Sequence, residues 1–301
     1  MVVRAAPERI SELNCRFFKA TVASRGLLYL LVILRACMPR AAWSQTPSPL
    51  QEWQYSSGVA VEKLFEPNLP DWDVVLGAGG EYKPLYDGAQ LTRKQAGPVI
   101  NVRYKDIAFA SVGEGLGLNL IHGEHYRGGI ALTYDLGRLV SNDVGHLHGL
   151  GDIGRAPAIK LFASYALSKS FPLVVRADVR QILGGADGML ADLGVYLPLP
   201  GSSKRLLMLA GPSVTYADHR YMQKVFGVTT AQSIASGYPV YDAHAGSDAV
   251  GFGFSATGFV TDHWLINMDA AVNRLSGSAR ESPITQKTTQ HALGLSVAYS
   301  W

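Results

Sequence analysis

The chain ends on Ala292-Leu293-Gly294-Leu295-Ser296-Val297-Ala298-Tyr299-Ser300-Trp301. Successive side chains of a β-strand point to opposite faces. Leu293, Leu295, Val297, Tyr299 and Trp301 therefore share one face, and Ala292, Gly294, Ser296, Ala298 and Ser300 share the other. One face is large and apolar; the other is small and polar. A strand standing between lipid and a crowded, wet lumen needs that division. The five outward residues, closing on an aromatic, are the candidate C-terminal assembly signal of such a wall.

Working back along the chain, the same period of two recurs. Ile130, Leu132, Tyr134 and Leu136 alternate with Gly129, Ala131, Thr133 and Asp135, and Ile100, Val102 and Tyr104 with Asn101 and Arg103. Val175, Ala177 and Val179 alternate with Arg176, Asp178 and Arg180. Met189 to Leu197 and Trp264 to Val272 behave alike, and further strands are expected at 73–82, 107–113, 115–121, 158–168, 205–217, 241–247 and 250–260. Gly- and Asp-rich turns such as Gly184-Gly185-Ala186-Asp187-Gly188 separate them. The expected fold is all-β, a transmembrane antiparallel barrel over residues 72–301. Single-chain bacterial barrels use even strand numbers, so twelve strands are expected, with ten and fourteen as the neighbouring counts. A soluble sandwich or lipocalin-like barrel would also alternate, with its apolar face turned inward. Aromatics near strand ends (Trp72, Tyr104, Tyr134, Trp264, Tyr299, Trp301) favour the membrane, where they would form interfacial girdles. Closure would also remove the open edges of so large a sheet.

Residues 1–44 read as a cleaved signal peptide. Arg16, Lys19 and Arg25 precede the nine-residue apolar run Gly26–Leu34, and Ala42-Trp43-Ser44 supplies small residues at a cleavage position. Nine helical residues reach about 14 Å at ~1.5 Å each, too short to anchor a chain in a bilayer. This segment carries seven of the 27 basic residues and two of the 24 acidic ones, so the remaining 20 and 22 leave residues 45–301 at −2. The basic balance of the whole chain thus belongs to targeting and gives no ground for a nucleic-acid partner. Cys15 and Cys37 also lie in this segment, which leaves the exported part free of thiols. Residues 45–71, beginning with Gln45-Thr46-Pro47-Ser48-Pro49, read as a loose N-terminal tail.

No catalytic constellation stands out, and the chain is expected to be a non-enzyme without cofactor or metal. Gly211-Pro212-Ser213-Val214-Thr215 is the nearest serine motif, but Pro212 is wrong for a nucleophile elbow. His146 and His148 face one way with Asp143 and Asp152 near, and His122 and His125 are close in sequence; neither set offers a third fixed ligand. The least strand-like stretch is 218–237, where Thr229 is a fair N-cap for a short helix. It could plug the lumen, present a partner surface or form an ordered loop. Charges expected on inner faces are the best functional lead: Arg176, Asp178, Arg180 and Asp192. They would either fill a narrow lumen as ion pairs or line a selective pore.

Several stretches together resemble the MltA-interacting protein family, also called MipA/OmpV, of Gram-negative outer membranes. They are Gly79-Gly80-Glu81-Tyr82-Lys83-Pro84-Leu85-Tyr86-Asp87-Gly88, Pro98 to Tyr104, Gly115-Leu116-Gly117, Tyr134 to Arg138 and Leu147 to Ile153. Tyr221 to Val228, Ser236-Gly237-Tyr238, Leu275 to Ala279, Ser282-Pro283-Ile284 and the aromatic C-terminus complete the series. Trp301 stands where phenylalanine is commoner in the family, and the leader is longer than usual. The resemblance implies an outer-membrane barrel, surrounded by lipid, with a scaffold role toward a peptidoglycan hydrolase and synthase. A narrow porin-like channel for small polar solutes is its alternative, and a barrel enzyme a distant third. It supplies no catalytic motif.

Overall fold

The computed structural model describes residues 71–167, 173–203 and 205–301. The expected signal peptide and tail lie outside them, save Asp71. Twelve antiparallel strands close into a barrel: β1 (Trp72–Pro84), β2 (Thr92–Tyr104), β3 (Ala108–Ser111), β4 (Gly115–His122), β5 (Tyr126–Asp135), β6 (Ala156–Ala166), β7 (Val174–Ile182), β8 (Met189–Pro198), β9 (Leu206–Ala217), β10 (Gly246–Phe259), β11 (Trp264–Leu275) and β12 (Thr289–Ser300). Each strand pairs with its sequence neighbours, and β12 returns to β1 from Val75↔Ser300 to Tyr82↔Leu293. Among the described residues no helix is long and apolar enough to cross a membrane.

The alternation maps onto the wall. Leu293, Leu295, Val297 and Trp301 are exposed on the outside, whereas Ser296 and Ala298 are buried inside. β6 is the clearest case, with Ala156, Ala158, Lys160, Phe162, Ser164 and Ala166 inward and Ile159, Leu161 and Tyr165 outward. Trp72 and Tyr104 meet at 4.7 Å, Trp264 and Tyr299 at 5.3 Å, and Tyr299 and Trp301 at 4.6 Å, forming one girdle at the end that carries the chain terminus. Tyr134 belongs to the opposite level, with Tyr82. Inside, small and large residues trade space. A Cβ on Gly117 would sit 2.2 Å from the Phe109 ring, which packs edge-on against Phe162 at 5.7 Å.

One strand expectation is corrected. Residues 241–247 do not form a strand of their own. Only Tyr241 pairs, as an isolated bridge to Val228, and β10 starts at Gly246. Ala243 is buried in the cap described next, so this short segment is claimed by loop packing rather than by the wall.

The connections at the girdle end are short. At the other end they fold into a cap. It contains a 3-10 turn (Val140–Asn142) and the helices α1 (Val144–Leu147), α2 (His219–Phe226), α3 (Thr230–Ser236) and α4 (Gly277–Glu281). Asp218 caps α2 by accepting from the Tyr221 N–H at 2.8 Å. Thr229 starts α3 with a full capping box to Gln232, and Gly237 ends it at φ 81°, the left-handed C-cap conformation glycine adopts without strain. The apolar side of α2 (Tyr221, Met222, Phe226) is buried against the barrel mouth at Ala158, Ile182, Leu190, Ala217 and Leu275.

Three connections meet on one carboxylate. The Tyr86 hydroxyl donates to Asp143 at 2.9 Å, the Gln286 amide donates to the same carboxylate at 3.3 Å, and His146 Nδ1 lies 3.2 Å from it. Burial pushes the Asp143 carboxyl up, but the hydrogen bonds from His146, Tyr86 and Gln286 outweigh it and hold the group below its usual range. A carboxyl depressed in the folded state stabilises above its unfolded pKa of ~3.9, and that contribution is lost as pH falls through the lower folded value. Asp143→Ala should therefore cost about 2–3 kcal/mol at pH 7. The gap to the unchanged protein should narrow below about pH 4, as read from urea unfolding of the refolded barrel at several pH values.

Candidate functional site

Arg176, Asp178, Arg180 and Asp192 all lie on the inner face, each 5% exposed or less. Period two places the first three on one side of β7, and the register sets Asp178 directly opposite Asp192 on β8. Two carboxylates opposed in this way repel. Arg180 sits between them, with Nη2 2.5 Å from Asp192 Oδ2 and Nε 3.6 Å from Asp178 Oδ1. Arg176 approaches Asp178 at 3.9 Å and donates to Glu114. Lys160 Nζ stands 3.8 Å from Glu114 and is fully buried. These contacts join three cations and three anions inside the barrel. Glu114 and Lys160 escaped the sequence reading. Lys160 was legible from the alternation of β6; Glu114, in the turn before β4, carried no periodic signal.

A second network lines the girdle end. Arg103 Nη2 contacts Asp73 at 2.9 Å, and Asp106 receives Arg127 Nε at 2.9 Å. Asp106 has φ 57° in the β2–β3 turn, which aims it back into the lumen. His122 Nδ1 is 3.9 Å from the same carboxylate. Neither His122 nor His146 belongs to a group of three ligands among the described residues. Ser213 lies mid-strand in β9, whereas a nucleophile elbow is a strand-to-helix turn. Pro212 faces a break in the β8–β9 ladder, between the pairs Gly194↔Ser213 and Leu197↔Ala210, where its missing N–H costs nothing on that side.

The wall itself has a notch. β3 covers β2 only from Asn101 to Tyr104, and the Val112 N–H adds one bond to the Ile100 carbonyl at 3.1 Å. Along residues 92–99, β2 pairs only with β1 among the described residues. Peptide groups two residues apart face the same edge of a strand, so Pro98 shares the edge of Ile100. Its missing donor points where no partner strand stands. A cavity of about 120 Å³ opens there. It is lined both by inward residues (Glu81, Gln95, Asp269) and by outward ones (Pro98, Ile100, Tyr134), which only a gap in the wall permits. Asp269 is 4% exposed, and its Oδ1 has no hydrogen-bond partner among the described residues.

The chain is similar to OprB of Pseudomonas putida at 13% identity and a TM-score of 0.33, covering 68% of this chain and 49% of that one, so it spans about half of OprB. It is similar to the translocator domain of the autotransporter NalP from Neisseria meningitidis (11%, TM-score 0.41, covering 80% and 92%). It is also similar to the Pseudomonas putida toluene transporter TodX (11%, TM-score 0.36, covering 81% and 94%). No curated protein matches it in sequence. The sequence model of the family described as MltA-interacting protein MipA matches residues 76–301. With that match spanning all of the wall but its first four residues, the chain belongs to the MipA family and is a closed β-barrel of the outer membrane.

Proposed function

We propose that this protein is a non-catalytic scaffold, a capped barrel that holds peptidoglycan-processing enzymes at the inner surface of the outer membrane. The observation that carries the reading is the state of the lumen. Arg176, Arg180, Lys160, Asp178, Asp192 and Glu114 are buried in ion pairs, and folded connections cap one end. A water-filled pore would leave such side chains exposed. In barrels of this kind the short turns face the periplasm and the longer connections face outward. The short turns here include 105–107, 123–125 and 260–263, at the end that also carries residue 71, and Arg205 is exposed just before β9 at the same end. Lys105 and Asp71 are well exposed and pair at 3.3 Å, so charge is available there for a partner. The family description names interaction with MltA, and that partner is consistent with this face.

A second reading is uptake of a small solute, favoured by the wall cavity. Its mouth is apolar and lies between the two aromatic levels, while Asp269 waits inside. That chemistry suits a small molecule with an apolar body and a hydrogen-bond donor or ammonium head. An engineered apolar cavity of ~150 Å³ holds benzene, which sets the scale.

Direct measurements test these readings. The refolded mature protein should be silent in a planar bilayer, and should retain a lytic transglycosylase from solubilised envelopes. Exchange of the turn charges, Lys105→Glu with Arg205→Glu, should reduce that retention without altering the heat-modifiable folded form. Stable single-channel openings, or retention indifferent to the exchange, would count against the scaffold. Arg180→Ala strands Asp178 and Asp192 opposite each other and should destabilise the barrel by about 3–5 kcal/mol in urea unfolding. For the second reading, benzylamine should raise the melting temperature of the unchanged protein but not of Asp269→Asn; equal shifts would dismiss the cavity as a site.

A further inference from the structure

One side-chain cluster of the cap has no part in either reading. His219, Asp242 and His244 each bring one ligand atom within 4.8 Å of the other two, and all three are exposed on the cap surface. They come from two separate pieces of chain. His219 opens α2, directly after its N-cap Asp218. Asp242 and His244 flank Ala243 in the chain. Ala243 is completely buried, whereas its two neighbours are exposed.

Both pieces are held before any ligand arrives. The Ala243 N–H donates to Gln223 Oε1 of α2 at 2.8 Å. The His244 N–H donates to Ser278 Oγ of α4 at 3.1 Å, and the Tyr241 hydroxyl donates to the Ser278 carbonyl at 2.9 Å. Tyr241 and Val228 exchange two backbone bonds of 2.9 Å. His219 is also oriented. Its Nδ1 lies 3.0 Å from the Ala243 carbonyl, which can only accept, so Nδ1 carries the proton and Nε2 presents its lone pair. A ring nitrogen donating to a backbone carbonyl is the usual outer-shell partner of a metal-bound histidine.

We infer that His219, Asp242 and His244 form a surface site for a divalent first-row transition metal, of which zinc is the test case. Two imidazoles and one carboxylate suit Zn²⁺, Cu²⁺ or Ni²⁺, whereas Mg²⁺ and Ca²⁺ prefer all-oxygen shells. Tetrahedral zinc would take three protein ligands and leave its fourth position to water, which exposure allows. The bound ion would tie the start of α2 to the 241–244 segment and so brace the cap. Sequence spacing gives no hint of the site, because 22 residues separate His219 from its nearest partner, Asp242.

The test uses the refolded mature barrel, stripped with chelator and titrated with zinc chloride in a calorimeter. One equivalent should bind, and a thousandfold excess of Ca²⁺ should not displace it. His219→Ala and His244→Ala should each weaken binding by about tenfold or more. The Cu²⁺-loaded protein should show nitrogen hyperfine structure from two imidazoles in its electron paramagnetic resonance spectrum. No stoichiometric binding, displacement by Ca²⁺, or unchanged affinity in the double histidine variant would overturn the assignment. Should a histidine variant fail to refold, the Cu²⁺ spectrum of the unaltered protein decides alone: signals without two nitrogen ligands exclude the site.

Discussion

In hydrocarbon no water is present to satisfy a backbone N–H or C=O, so a sheet that crosses a membrane must close on itself. The pairing of β12 with β1 meets that demand through eight residue pairs, and everything else follows from it. Closure sends Leu293, Leu295 and Val297 to lipid and leaves Gly294, Ser296 and Ala298 to a confined interior. It also explains why departures from ideal pairing fall where they do. Pro98 and Pro212, which have no backbone donor, occupy places where the ladder is open or broken on the side their nitrogens face.

A closed wall creates a second problem, because whatever points inward is taken out of bulk water. Burying single charges would be costly, and around β7 the barrel buries opposite charges beside one another. Opposed Asp178 and Asp192 are tolerable because Arg180 reaches both, and Glu114 receives Arg176 with Lys160 nearby. Such networks fix register well. A slip of one residue would move every charge to the lipid face.

The cap obeys different physics. Its helices are too short to be stable alone. They persist because Tyr221, Met222 and Phe226 bury against the barrel mouth, while Leu147, Leu150, Val228 and Ile284 form a separate apolar cluster with Tyr86 and Ala89. Long-range polar contacts then tie one connection to the next. Gln232 donates to the Leu150 carbonyl at 2.6 Å, Ser282 to the Phe226 carbonyl at 2.6 Å and Arg138 to the Val225 carbonyl at 2.8 Å. A rigid cap of this kind can display surface chemistry, such as the His219 cluster, that a wall strand cannot.

The amino-acid sequence determined the wall almost completely, because facing in a strand depends only on the parity of position. Arg176, Asp178, Arg180 and Asp192 could be assigned to the inside for that reason, and the helix starting after Thr229 from the local rule of N-capping. Helix α2 was not legible in the same way. Its apolar positions are few and uneven, and what makes it a helix is burial against strands far away in sequence. Residues 241–247 look like a strand by alternation, yet tertiary packing draws Ala243 into the cap. The meeting of Asp178 with Asp192, of Tyr86 with Asp143 and Gln286, and of His219 with His244 was likewise decided only by tertiary structure. Periodicity says which way a side chain points; which partner it finds depends on register, closure and loop packing, and those are properties of the whole chain.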